Sequence, residues 1–178
     1  MLNTNDTLVI GIDIQEKLVN MLKNSETIAT NATKLLSACN ILNVQTILTE
    51  QYPKGLGSTI NSIKEIKDFK TLEKTSFSAL RTEEIEKELK NYDFKNVVIF
   101  GIETHICVYQ TVLDLLKEKY NVYVVADCSS SRADFNHNTA LELMKQKGAY
   151  VTSLEIVLFE WLKSSKHENF KAVQGLIK

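Results

Sequence analysis

Short runs of aliphatic, often β-branched residues alternate with longer helical stretches along this chain, and this alternation constrains the fold more than any other feature. The first run is TLVIGI at residues 7–12, and the clearest is NVVIFG at residues 96–101. Runs of this length are typical of strands buried on both faces of a parallel sheet. Strands separated by helices form right-handed βαβ units, so the pattern predicts an α/β protein with a central, mostly parallel sheet.

The remaining elements fit the same pattern. Further strands are predicted at residues 44–48, 71–73, 122–126 and 149–152. Helices are predicted at residues 26–40, from residue 82 onwards, and at residues 104–119, 135–146, 158–162 and 170–177. No linker, repeat or low-complexity segment interrupts the 178 residues, so we expect one domain spanning residues 1–178. Its expected architecture is a three-layer, Rossmann-like α-β-α sandwich.

Composition excludes several classes of function. The formal net charge is −1, which predicts neither a nucleic-acid partner nor a charged membrane surface. No apolar run approaches the roughly 18–20 residues that span a bilayer, and the N-terminal stretch lacks the basic residues of a signal peptide. The three cysteines form an odd set in a chain too large to need disulfides. We therefore expect a cytoplasmic protein with reduced thiols.

Three residues follow predicted strands at the edge where α/β proteins bind ligands. Asp13 comes directly after the first strand, Lys74 follows the brief third one, and Cys107 begins the helix after NVVIFG. A helix start favours a thiolate, so position predicts a nucleophilic Cys107 with a lowered pKa. Position alone leaves alternatives open: a helix-capping or surface acid, a solvated lysine, and a buried apolar cysteine. Cys39 and Cys128 lack a comparable setting and are predicted to be core or near-surface thiols.

Five segments in order give the chain a specific resemblance. They read DIQ at residues 13–15, TEQYPKGLGST at 49–59, EKTSFSA at 73–79, GIETHICV at 101–108 and VVADCSSSR at 124–132. Together they resemble the isochorismatase-like hydrolases, a family that includes nicotinamidases, carbamoylsarcosine-type amidases and many members of unknown substrate. The resemblance implies the fold of that family, with Asp13, Lys74 and Cys107 as its catalytic triad.

The resemblance also implies a mechanism. Asp13 would accept the thiol proton, Lys74 would orient and balance the charge, and Cys107 would form an acyl-enzyme with a small amide or a related C–N or ester substrate. The backbone N–H groups of Glu103 and Cys107 would form the oxyanion hole. The family often has a cis peptide bond at the position between Ile102 and Glu103.

Departures from the family bear on the substrate. Nicotinamidases bind a metal through an aspartate and two histidines, beginning in the loop after the second strand, but here that loop reads EQYPKGLG. The three histidines (His105, His137 and His167) lack ligand spacing, so we expect no metal and no cofactor. Isochorismatases proper lack the cysteine. The chain therefore resembles most the metal-free branch of isochorismatase domain-containing and YcaC-like proteins.

The substrate itself is not encoded in any motif. Gln15, Gln51, Tyr52 and Phe77 flank the predicted site and are candidate pocket residues. His105, beside the nucleophile, is expected to be structural, as are Asp127, Ser131 and Arg132 after the fifth strand, although a subunit interface is the alternative for the latter three. Family members are usually dimers or larger, so a homo-oligomer acting on a small molecule is expected. A redox-sensing or regulatory binding protein that uses Cys107 as a reactive thiol is the alternative from another class.

Overall fold

The computed structural model describes residues 2–178, which are built around a six-stranded sheet. All neighbouring strands pair in parallel, in the order β3-β2-β1-β4-β5-β6. The strands are β1 (Thr7–Ile12), β2 (Gln45–Gln51), β3 (Lys70–Lys74), β4 (Asn96–Gly101), β5 (Asn121–Val125) and β6 (Tyr150–Thr152). The predicted parallel α/β fold is thereby confirmed, and the bounds of β1 and β4 agree with the two clearest apolar runs.

Helices cover both faces of the sheet. They are α1 (Glu16–Asn20), α2 (Ser25–Leu42), α3 (Pro53–Leu56), α4 (Asn61–Lys64), α5 (Glu83–Leu89), α6 (Tyr109–Lys117), α7 (Asp134–Gln146), α8 (Leu154–Leu162) and α9 (Phe170–Gly175). Short 3-10 turns form at Thr4–Asp6, Ala79–Arg81 and Ala126–Cys128. The helices α1, α3 and α4 were not predicted, because four or five residues are too few to show a helical period.

The core consists of two apolar layers separated by the sheet. Successive side chains of a strand point to opposite faces, so on β4 Val98 and Phe100 join one layer while Val97 and Ile99 join the other. Residues of α2, α8 and α9 fill the first layer, and residues of α5, α6 and α7 fill the second. The predicted three-layer sandwich is confirmed.

The order of the strands places a crevice at the centre of the sheet. The chain builds β1, β2 and β3 outward to one side, then returns to place β4 on the other side of β1. At the end of these two strands the backbones come very close: a Cβ atom on Gly101 would lie 2.0 Å from the carbonyl oxygen of Ile12. Gly101 also has φ of +137°, which side chains rarely permit. Ligands of open α/β sheets bind at such a topological switch point.

The helix predicted at residues 104–119 has a different beginning. Its first turn is a π-helix (Thr104–Val108), and α6 continues from Tyr109. π-Helical turns are rare and often occur at functional sites. No helix among residues 2–178 is both long and apolar enough to cross a membrane.

Candidate active site

Three chain segments bring Asp13, Lys74 and Cys107 together at the switch point. Asp13 follows β1, Lys74 is the last residue of β3, and Cys107 lies in the π-helical turn after β4. Their exposed fractions are 0%, 3% and 7%. The three residues picked out by the sequence thus form one buried cluster, and their catalytic roles remain predictions.

Asp13 is held by a hydrogen bond to each carboxylate oxygen. The Thr49 hydroxyl donates to Oδ1 at 2.7 Å, and the Lys74 ammonium donates to Oδ2 at 2.7 Å. The backbone N–H of Asp13 also donates to the Thr49 carbonyl at 3.1 Å. The residue has φ of +52°, a left-handed conformation that aspartate and asparagine tolerate better than most side chains. The carboxylate is therefore fixed in direction at the point where β1 ends.

Lys74 has its ammonium surrounded by oxygen atoms. The two short hydrogen bonds run to Asp13 Oδ2 and to Gln51 Oε1, each at 2.7 Å. The carbonyl oxygens of Ser76 and Phe77 lie farther away, each at 3.3 Å. Burying an ion pair costs several kcal/mol of desolvation per ion. The attraction between the charges offsets this cost only where further hydrogen bonds satisfy both groups. Here Thr49 supplies the further hydrogen bond to Asp13, and Gln51 supplies the one to Lys74.

Gln15 and Gln51, predicted from the sequence to line the pocket, instead form hydrogen bonds within the protein. The Gln51 amide accepts from Lys74 and donates to the Thr75 carbonyl at 2.8 Å. Gln15 is fully buried. Its Oε1 accepts from the Gln51 backbone N–H at 2.7 Å, and its Nε2 donates to the carbonyls of Gln51 and Gly57 at 3.1 and 2.6 Å. Both amides bind protein groups, and no periodicity or spacing in the sequence indicates these partners.

The Cys107 thiol differs from the sequence-based expectation in its acidity. Burial, and then the charge of Asp13, raise its pKa to about 12, although the ammonium of Lys74 acts in the opposite direction. The expected lowering of the pKa is therefore wrong. Cys107 is the fourth residue of a π-helical turn rather than the first of an α-helix, and desolvation outweighs the favourable end of the helix.

Hydrogen bonds to neighbouring segments hold the π-helical turn at both of its ends. Thr111 donates its hydroxyl to the Cys107 carbonyl at 2.7 Å and accepts from the Ala79 N–H at 3.0 Å. At the other end, the Glu103 carboxylate accepts from the Arg132 backbone N–H at 3.1 Å. The peptide bond between Ile102 and Glu103 is cis, the geometry that the family resemblance implies. These contacts fix the backbone that carries the nucleophile candidate.

Residues expected to be structural have structural partners. His105 Nδ1 lies 2.9 Å from the Ser131 hydroxyl. The Arg132 guanidinium lies 3.4 Å from the Glu103 carboxylate. Asp127 Oδ1 accepts from the Leu154 N–H at 2.8 Å, where α8 begins. Each side chain therefore joins neighbouring turns.

Two aromatic side chains remain available to a ligand. Tyr52 and Phe77 are 55% and 54% exposed. The backbones of both residues form hydrogen bonds with Lys74. The Tyr52 N–H donates to the Lys74 carbonyl at 3.0 Å, and the Phe77 carbonyl accepts from the Lys74 ammonium. Of the four candidate pocket residues, these two are the most accessible.

The other two cysteines are core residues. Cys39 is 1% and Cys128 0% exposed, and both are free thiols. Burial raises the pKa of Cys39 to about 12 and that of Cys128 well above its ordinary value. Among residues 2–178, no three histidine, cysteine, aspartate or glutamate side chains are grouped so that they could hold a metal ion.

Comparisons with known proteins identify related sequences. A family model described as the isochorismatase domain matches residues 7–156. The chain is 43% identical to isochorismatase domain-containing protein 2 of Xenopus laevis over 166 residues, covering 93% of this chain and 80% of that protein.

Solved structures show the same similarity. One described as MAR1 ribonuclease from Caenorhabditis elegans superposes with a TM-score of 0.93 at 39% identity, covering 99% of this chain and 91% of the other. The YcaC protein of Escherichia coli, described as an octameric hydrolase of unknown specificity, has a TM-score of 0.92 at 25% identity, with coverages of 99% and 88%.

Proposed function

Since the chain belongs to the isochorismatase family of hydrolases, we propose that it is a cysteine hydrolase that cleaves a small amide, or a related C–N or ester bond. The observation that carries the proposal is the buried ion pair of Asp13 and Lys74, joined at 2.7 Å beside the Cys107 thiol. A carboxylate, an ammonium and a thiol in contact supply a base, a counter-charge and a nucleophile.

In the first half of the proposed reaction, the acyl group of the substrate is transferred to the Cys107 sulfur. The thiol is protonated at rest, so Asp13 takes its proton while the sulfur attacks the carbonyl carbon. The tetrahedral intermediate collapses when the leaving nitrogen or oxygen takes that proton from Asp13 and departs. A thioester on Cys107 remains, and Asp13 is again a carboxylate. Lys74 stays protonated throughout and balances the charge that moves between carboxylate and sulfur.

In the second half, water cleaves the thioester. Asp13 accepts a proton from the water as its oxygen attacks the acyl carbon, and the proton then returns to the departing sulfur. The products are a carboxylic acid and the free thiol, which restores the starting state. General base catalysis of this kind typically contributes about 10²–10⁴-fold in rate.

The oxyanion of both steps would be bound by the backbone N–H groups of Glu103 and Cys107. Cys107 belongs to the π-helical turn and Glu103 directly precedes it, and the backbone of this segment is fixed through Thr111 and Arg132. Loss of one such donor typically costs about 2.7–4 kcal/mol of transition-state stabilisation. Tyr52 and Phe77 would contact the remainder of the substrate.

The proposed chemistry needs neither metal nor cofactor, because side chains of this chain supply each group. The absence of histidine from the loop at residues 49–59 disfavours a nicotinamidase. We further propose a cytoplasmic homo-oligomer. Support for the oligomer comes from the octameric E. coli relative and from Phe135 at the start of α7, which is 80% exposed.

Two other functions are less well supported. A redox sensor needs an accessible thiol of low pKa, whereas Cys107 is 7% exposed with its pKa raised to about 12. The C. elegans relative is described as a ribonuclease, but a net charge of −1 and a buried thiol disfavour a polyanionic substrate for this chain.

A screen of small amides and esters with intact-mass detection tests the proposal. We expect at least one compound to be hydrolysed, with a transient acyl adduct that peptide mapping assigns to Cys107. A single-stranded RNA in the same screen is expected to stay intact.

The matched control is Cys107→Ala, which should lose adduct and turnover while its thermal unfolding stays near that of the wild type. Turnover that persists in Cys107→Ala at the wild-type rate would rule out the mechanism.

A further inference from the structure

We infer that Gln51, held in place by Gln15, is a positioning residue that fixes the ammonium of Lys74 beside the nucleophile. The inference rests on the proposed function, because it assigns to Gln51 an effect that passes through Lys74 to Cys107. It is carried by the Gln51 Oε1 to Lys74 Nζ hydrogen bond of 2.7 Å and by the contacts that fix both amides.

The orientation of the Gln51 amide follows from its two partners. Its oxygen faces Lys74, and its nitrogen faces the Thr75 carbonyl at 2.8 Å. A reversed amide would place N–H groups against the ammonium and two oxygens against each other. The side chain therefore has one orientation, in which a neutral acceptor points at the lysine.

Gln15 fixes the backbone from which the Gln51 side chain extends. Its amide binds both the N–H and the C=O of Gln51, at 2.7 and 3.1 Å, and also the Gly57 carbonyl at 2.6 Å. The Gln15 side chain is fully buried, so these hydrogen bonds form without competition from water. The position of the Lys74 ammonium is thus determined by the end of β2 and by the segment after β1, as well as by β3.

A neutral acceptor suits the charge movement of the proposed reaction. When Asp13 takes the thiol proton, its negative charge disappears and a new one develops on the Cys107 sulfur. Gln51 keeps one N–H of the ammonium occupied throughout without offering a charge that competes with the sulfur. The carbonyls of Ser76 and Phe77, at 3.3 Å, are poorer acceptors for this purpose.

A double-mutant cycle tests whether Gln51 acts through Lys74. The readout is the rate of Cys107 alkylation by iodoacetamide, which needs no known substrate. We expect Lys74→Met to slow alkylation, and Gln51→Met to slow it about threefold to thirtyfold, as for contacting residues in one network. In the Lys74→Met background, Gln51→Met should have no further effect. Gln146→Met, which alters an exposed glutamine of α7, should leave the rate unchanged.

The nearly isosteric Gln51→Glu provides a second readout and keeps the test valid if Gln51→Met does not fold. Its carboxylate retains an acceptor for Lys74 but adds a negative charge, which should shift the pH profile of alkylation upward by about one unit or more. A residue that merely stabilises the loop would leave the profile in place. In the Lys74→Met background, Gln51→Glu should not restore the rate of Cys107 alkylation.

The outcomes separate the two hypotheses. Equal slowing by Gln51→Met in both backgrounds, or an unshifted profile in Gln51→Glu, would overturn the role of Gln51 while leaving the triad intact. An unchanged alkylation rate in Lys74→Met would instead overturn the proposed triad itself. Thermal unfolding of each variant identifies any loss of rate that comes from loss of fold.

Discussion

Cys107 and Cys128 occupy similar places in the fold and differ in their neighbours. Each follows one of two adjacent parallel strands, β4 and β5, and each lies in a short helical turn. Burial raises the pKa of both thiols. Cys107, however, lies against Asp13 and Lys74, whereas the charged neighbour that acts on Cys128 is Asp127.

The comparison shows that place in the fold supplies burial, but not the charged neighbours on which the proposed reactivity depends. A thiol at the carboxyl edge of a sheet, in a helical turn, is by default a protonated core residue. What distinguishes Cys107 is a carboxylate from the end of β1 and an ammonium from the end of β3, on the far side of β1. The proposed chemistry therefore depends on the order of the strands, which brings these ends together.

The largest expected effect comes from removing the charge that distinguishes the two cysteines. Asp13→Asn keeps a side chain that tolerates the left-handed backbone but removes the base. We expect turnover to fall about 10²–10⁴-fold. The free energy of unfolding should fall by about 3–5 kcal/mol, because Lys74 loses its buried partner. Steady-state kinetics and urea unfolding measure the two effects.

Asp127→Asn is the matched control for that change. Its Oδ1 can still accept from the Leu154 N–H, so turnover should be unaltered and stability should change by less than about 1 kcal/mol. If the two substitutions had equal effects on turnover, the distinction between the two regions would be lost.

A smaller effect is expected in the selectivity of labelling. With limiting iodoacetamide near neutral pH, Cys107 should react at least about tenfold faster than Cys128, because it is 7% rather than 0% exposed and has a base in contact. Cys128 is 0% exposed and reacts only when the structure opens locally. Quantitative peptide mapping after short exposures gives both rates. Comparable labelling of the two thiols would contradict the assignment of Cys107 as the reactive one.

The smallest effect is one that the two cysteines share. Unfolded thiols titrate near 9.0, whereas burial holds the pKa of Cys107 at about 12 and that of Cys128 well above 9.0. Below pH 9 both states keep these protons, and above it the unfolded chain releases them first. The free energy of unfolding should therefore fall with rising pH, by up to about 1.4 kcal/mol per pH unit for each thiol.

Urea unfolding at several pH values between about 8 and 10.5 measures that slope. Cys107→Ala and Cys128→Ala should each make it shallower by a similar amount, although only the first affects turnover. A slope that neither substitution changes would mean that Cys107 and Cys128 are not the titrating groups.

The regular part of the fold could be predicted from the sequence because it depends on local patterns. The strands at residues 7–12 and 96–101 are continuous apolar runs, and their bounds agree with the structure. The strand at residues 70–74 was predicted shorter, since its residues are mostly exposed and polar at an edge of the sheet. The π-helical turn has no local signature, so its residues were predicted as part of an ordinary helix.

The site was predictable in its members but not in its contacts. Asp13, Lys74 and Cys107 could be identified from the family resemblance of their segments. The orientation of Gln51 towards Lys74 depends on the pairing of β2 with β3, and the acidity of Cys107 depends on how deeply it is buried. Both follow from tertiary packing, which a single sequence does not specify residue by residue.

The strand order divides the chain into two consecutive halves that meet at β1 and β4. The first half, through β3, contains the carboxylate, the ammonium and both glutamines, and the second contains the thiol and the π-helical turn. During synthesis the emerging chain therefore holds the proposed base without the proposed nucleophile until the second half has been made and has docked. Reactivity at Cys107 consequently reports that both halves have assembled, which makes it a natural readout for complementation between fragments divided in the connection before β4.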